Sequence, residues 1–125
     1  MTIKRQFIDF IHVTAGLHPK KTPNINDEEL EQLIDTIAQA KRDIVALGET
    51  GPDFYHIRDA RQQKRQLQIL SKFLSHAEQW RLPLVIHARQ AETEALEVVS
   101  QSKIPVMFHC FAGSKQLARK IAEHG

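Results

Sequence analysis

The segment Val45-Ala46-Leu47-Gly48-Glu49-Thr50-Gly51-Pro52-Asp53-Phe54-Tyr55 joins a short apolar run to a cluster of chain breakers. Ile44 to Leu47 is apolar and stops at Gly48 and Glu49, and Gly51 and Pro52 follow before Asp53. A short apolar run bounded by glycine and proline reads as a buried strand with a sharp exit. Glu49 is therefore expected where a core strand ends and a loop begins. Leu84 to His87 and Val106 to His109 close in the same way, each with an apolar run that ends in histidine. These strand ends all carry a side chain able to bind metal.

Upstream, Phe7 to Ala15 is apolar and partly β-branched and breaks at Gly16 before His18 and Pro19. It reads as a strand ending near His18, followed by a loop over residues 19–26. Asn26 and Glu29 have the spacing of a capping box. Leu30, Leu33, Ile34, Ile37 and Ala38 then repeat at helical spacing through about Ala40. Downstream, a longer helix is expected from about Asp59 to Gln79, with Leu67, Leu70, Phe73, Leu74 and Ala77 on its apolar stripe. Arg58, Arg61, Lys64 and Arg65 crowd its start. Leu84 to Ile86 gives the next strand and Ala91 to Ser100 the next helix, with Ala91, Ala95, Leu96 and Val99 facing inward. Pro105 opens a last strand, Val106 to Phe108. A final helix carries Leu117, Ala118, Ile121 and Ala122 on one side and is terminated by Gly125. Short apolar strands alternating with helices point to an α/β protein with a parallel sheet covered by helices.

A chain of 125 residues with 26% charged residues has the balance of a single globular domain. The formal net charge of +2 is too slight to point to nucleic acid unless the charge is gathered in a patch. Cys110 is the single cysteine, so no internal disulfide forms and a cytoplasmic setting is expected. No apolar run approaches the roughly 20 residues of a membrane helix. The N-terminal stretch lacks a small-residue cleavage site, so neither a signal peptide nor membrane association is expected.

Parallel α/β architectures build their sites at the carboxyl ends of the strands. His18, Glu49, His87 and His109 all fall at such ends, and one sheet brings them to one rim. Imidazole with carboxylate suits zinc, manganese or a similar divalent ion, which lowers the pKa of a water and polarises a phosphoryl or carbonyl oxygen. Asp53 is placed to orient a ligand or to act on a water, and Arg89 to grip an anionic group. The plainer readings are a loop histidine at His18, a turn cap or a partner of Arg89 at Glu49, and a packing residue at Cys110. His12, lying within a strand, and His56, His76 and His124 read as solvated or core residues. The Arg58–Arg65 cluster reads as a solvated helix face, and as a phosphate track only if it borders the same rim.

Four stretches carry a resemblance: Gly16 to Pro19, Gly48 to Phe54, Val85 to Arg89, and Phe108 to Gly113. In that order they resemble four blocks of the TatD family of metal-dependent deoxyribonucleases, over about Ala15 to Gly113. The resemblance implies a (β/α)8 TIM barrel of the metallo-dependent hydrolase type, of which this chain holds four consecutive strand–helix units. Residues 1–125 are then a single half-barrel domain, incomplete relative to the family. The implied reaction is hydrolysis of phosphodiester bonds in DNA with divalent metal ions, Mg, Zn or Mn. Position by position, Glu49 resembles the carboxylate ligand, and His87 and His109 the histidine ligands. Glu49 and Asp53 fall at catalytic positions, and His18 and Arg89 at substrate-binding ones.

The departures are specific. No His-x-His pair matches the family's first strand, and no aspartate matches its last. Pro52, Gln90 and Lys20 replace a usual leucine, aspartate and histidine. A full barrel takes about 250 residues because its strands close on themselves, so a half-barrel leaves edges that a second copy or a separate fragment is expected to cover. The alternative reading is a non-catalytic half-barrel that binds metal or a partner chain without turnover. A third reading is hydrolysis of a C–N bond on the same ligands.

Overall fold

The computed structural model describes residues 2–7 and 9–124. It contains four strands, β1 (Thr14–Ala15), β2 (Ala46–Thr50), β3 (Leu84–His87) and β4 (Val106–His109). The helices are α1 (Thr2–Gln6), α2 (Asp27–Gln39), α3 (Ala60–Trp80), α4 (Glu92–Val99) and α5 (Lys115–His124), with a 3₁₀ helix at Pro19–Asn24. The strands form one parallel sheet in the order β1-β2-β3-β4. Each strand leads into a helical segment, and those after β1, β2 and β3 return to the next strand. These are four consecutive units of a (β/α) barrel. None of the described helices is long and apolar enough to cross a membrane.

The helices form where their ends and stripes dictate. Asn26 and Glu29 make both halves of the capping box that opens α2, and Leu30, Ile34 and Ile37 are buried along it. Asp59 caps α3 by accepting from the Gln62 N–H. Arg81 closes α3 in the left-handed region, with φ 56°. Ile69, Leu70, Phe73 and Ala77 of α3 pack with Leu47, Leu84 and Ile86 of the sheet and with Ala95 and Val99 of α4. The core is thus the layer between the helices and one face of the sheet.

The other face is open. Register pairs Val85 with Met107 and His87 with His109, so these four share a face, while Leu84, Ile86, Val106 and Phe108 take the helix side. Met107 is 54% exposed. A closed barrel fills this face with side chains from the remaining strands. On the helix side, α5 has no buried residue; Leu117, Ala118 and Ile121 of its expected stripe are half-buried and Ala122 is exposed.

Two sequence expectations change. Only Thr14–Ala15 of the expected strand Phe7–Ala15 is strand, and His12 lies in an exposed irregular segment ahead of it. A strand needs a ladder, and β1 has one neighbour among the described residues, meeting it only at Ala46 and Leu47. Phe10 is accordingly 84% exposed. Ile8 of that expected strand, and Gly125 as a helix terminator, lie outside the described residues. The second strand also shifts, from Ile44–Leu47 to Ala46–Thr50, and runs through Gly48 rather than stopping there.

That shift places the acidic residue. Leu47 pairs with Leu84 but Thr50 with Ile86, so β2 spends one more residue than β3 over the same span. Such a bulge re-aims a side chain. Thr50 stays on the helix side with Leu47, both fully buried, and Glu49 is turned to the rim. Gly48 permits this: its φ is 122°, and a Cβ there would lie 2.2 Å from the Val85 carbonyl oxygen.

Candidate metal centre and substrate cleft

At the carboxyl ends of the strands, a cleft of about 470 Å³ is lined by His18, Glu49, His87, Arg89, His109 and Cys110. His87 is its centre. Its Nδ1 lies 2.7 Å from Glu49 Oε1 and its Nε2 2.9 Å from Asp53 Oδ2. A neutral imidazole in this position donates to one carboxylate and turns a lone pair toward the other, whereas an imidazolium donates to both. In the neutral form, a cation bound by that lone pair together with the facing carboxylate would remove the mismatch. Histidine held by one carboxylate and sharing an ion with a second is a familiar donor chemistry for divalent metals. Glu49 and His87 therefore fit the ion that the donor set implies.

Asp53 stands behind this pair, and its side chain is 0% exposed. Its Oδ1 accepts from the His56 N–H at 2.9 Å, and its Oδ2 also lies 2.9 Å from the His56 ring Nδ1. Burial pushes the Asp53 carboxyl up, but the hydrogen bonds from the His56 backbone, the His56 ring and the His87 ring outweigh it. The net result is a pKa below the ordinary carboxylate value. Both Asp53 oxygens are thus occupied, by His56 and His87, and the carboxylate is sealed from solvent.

His18 caps the 3₁₀ helix, its Nδ1 accepting from the Lys20 N–H at 3.2 Å. One ligand atom from each of His18, Glu49 and His87 lies within 4.8 Å of the others. With Nδ1 used as an acceptor, the neutral His18 ring carries its proton on Nε2, which suits donation to an oxygen better than a bond to metal. Desolvation, and then the neighbouring His87, hold the His18 pKa below its ordinary 6.5.

His109 reaches the same cleft through its register with His87, but it lies outside that cluster of three, its Nε2 3.2 Å from Cys110 Sγ. Arg89 is pinned by its backbone, the N–H donating to the Pro52 carbonyl and the C=O accepting from the Phe54 N–H. Its guanidinium lies 4.1 Å from the centre of the Tyr55 ring. The basic cluster divides: Arg65 pairs with Asp27, whereas Arg58 sits 5.6 Å from the Tyr55 ring, beside the rim. His76 packs against Trp80 on α3.

Two supporting residues escaped the sequence reading. His56 was read as a solvated or core residue without a part in the site, yet it holds the Asp53 carboxylate. Gln66 is fully buried. Its Oε1 accepts from the Asp53 N–H at 2.9 Å and its Nε2 donates to the Pro19 carbonyl at 3.2 Å, tying the loops after β1 and β2 together. The signal was present: Gln66 lies one helical turn before Leu70, a polar residue on an apolar stripe.

A family model described as "TatD related DNase" matches residues 1–125. The chain belongs to this TatD-related family. Among similar proteins is one from Methanocaldococcus jannaschii named "uncharacterized metal-dependent hydrolase MJ1582", 36% identical over 115 residues, covering 92% of this chain and 44% of that protein. Another, from Cronobacter sakazakii, is named "3'-5' ssDNA/RNA exonuclease TatD"; it is 32% identical, covering 90% of this chain and 42% of its own length. The crystal structure of the TatD homologue YjjV from Escherichia coli superposes with a TM-score of 0.83 at 26% identity, over 98% of this chain and 47% of that one. The chain thus spans less than half the length of each of these TatD relatives. Its four units are a partial TatD barrel.

Proposed function

We propose that this site belongs to a metal-dependent hydrolase acting on the phosphodiester bonds of DNA. The line Glu49–His87–Asp53 in a cleft with Arg89 on its wall carries the proposal. Glu49 and His87 hold the ion, Mg, Zn or Mn, with His109 as a further ligand from the neighbouring strand. A bound divalent ion supplies an acidified water and a Lewis-acid contact to the phosphoryl oxygen. Asp53 fixes the ring of His87, supported by His56 and Gln66. His18 donates from Nε2 to a phosphate oxygen, and Arg89 neutralises the phosphate next to it. The name of the Cronobacter relative supports a nucleic-acid substrate. The exposed, free Cys110 is compatible with a reducing cytoplasm.

The test is cleavage of labelled single-stranded DNA with and without divalent ions, comparing the chain with Glu49→Ala. Ion-dependent cleavage that the variant lacks supports the proposal. Equal products from both proteins would contradict it. A second reading, a half-barrel that binds metal or a partner chain without turnover, is favoured by the open sheet face around Met107; it predicts metal binding with no cleavage.

A further inference from the structure

We infer that Tyr55, with Arg58 and Arg89 beside it, forms a subsite that stacks an unpaired nucleobase and holds its phosphates next to the metal cleft. This deepens the proposed nuclease function and rests on it for the class of ligand. Tyr55 is the chain's single tyrosine and is 44% exposed. Its ring is presented by a fixed turn rather than a loose loop. Asp53 before it is tied to Gln66, the Phe54 N–H donates to the Arg89 carbonyl at 2.9 Å, and the Ile57 N–H closes onto the Asp53 carbonyl at 3.1 Å. A large ring kept outward on a rigid support offers a π-face to a ligand at little ordering cost.

The charge around it is of one sign. The Arg89 and Arg58 guanidiniums lie over the ring, 4.1 Å and 5.6 Å from its centre, and the His56 ring meets it in a T-shaped contact at 4.9 Å. Neither has a carboxylate within ion-pair distance among the described residues, whose ion pairs involve His56, Arg65, Lys72 and His87. Guanidiniums with no carboxylate partner, lying over a partly exposed aromatic ring, provide what a single strand needs: cations for the backbone and planar faces, aromatic and guanidinium, for the base. Arg89 also lines the cleft that holds Glu49 and His87, so a strand stacked on Tyr55 carries an adjacent phosphate to the metal ligands. Bases inside a duplex hide their faces, so the subsite selects unpaired strands.

The test is fluorescence anisotropy of the 125-residue chain with a labelled oligothymidylate in chelator, beside an abasic strand of equal length and a duplex. Wild type is expected to bind the thymidylate about tenfold tighter than the abasic strand, within the range of base–aromatic stacking, and tighter than the duplex. Tyr55→Ala removes the preference over the abasic strand, Tyr55→Trp keeps it, and Arg58→Ala weakens both single strands alike. Tyr55→Ala that retains the preference, Tyr55→Trp that loses it, or a wild type indifferent to bases would overturn the subsite while leaving nucleic-acid binding in place. Failure of wild type to bind any of the strands would overturn both the subsite and the nuclease reading.

Discussion

At the scale of single residues, the site depends on which nitrogen of each histidine is already used. His87 is held between two carboxylates, and the buried one sets its ring. Asp53→Asn is expected to leave the fold intact and lower divalent-ion affinity about 10- to 100-fold, the usual cost of losing a carboxylate that orients a ligand; a calorimetric ion titration checks this, and unchanged affinity would contradict it. His18 carries a pH signature. Its folded pKa lies below 6.5, so the unfolded chain takes up its proton first as pH falls. Stability is lost progressively below 6.5, down to the folded value, and returns as pH rises. Thermal melts in chelator from pH 7.5 to 5 should show this loss, smaller in His18→Gln; identical profiles would contradict it. The place of Glu49, His87, Arg89 and His109 along the cleft was legible in the sequence because each lies at or just beyond the abrupt end of a short apolar run. His56 and Gln66 were not, because their partners lie across loops whose closure no local pattern displays.

At the scale of elements, the β2 bulge places Glu49. Strand periodicity alone would keep it on the same side as Leu47, facing the helices, and the extra residue between Leu47 and Thr50 reverses that. Gly48 is the hinge of the device, left-handed and pressed onto the Val85 carbonyl. Gly48→Ala is expected to lower stability by about 1–3 kcal/mol, from backbone strain and overpacking together. Urea denaturation measures this, and a midpoint equal to wild type would remove the bulge from its assigned role. The sequence displayed the helices well, since the Asn26 capping box and the α3 stripe are local signals. It overextended the first strand because apolar character from Phe7 to Ala15 does not reveal how far a neighbour's ladder reaches.

At the scale of the whole molecule, the helix side of the sheet is packed and the opposite face is not. Val85, His87, Met107 and His109 share that face, and β4 has no partner beyond β3 among the described residues. We propose that a second copy or a complementary fragment covers it. The chain should sediment above its monomer mass of 14.3 kDa, and Met107→Glu should shift it toward monomer; a monomeric wild type with a cooperative melt would contradict this. The strand–helix alternation made the partial barrel legible, while the open face was not, because composition carries no mark of an uncovered face. The most direct measurement of the central claim is a calorimetric titration of Mn²⁺ and Zn²⁺ into the chain, beside Glu49→Ala and His87→Ala. Saturable binding that either substitution abolishes is the predicted result. Binding unaffected by both, or none in the wild type, would contradict a metal centre built on Glu49 and His87.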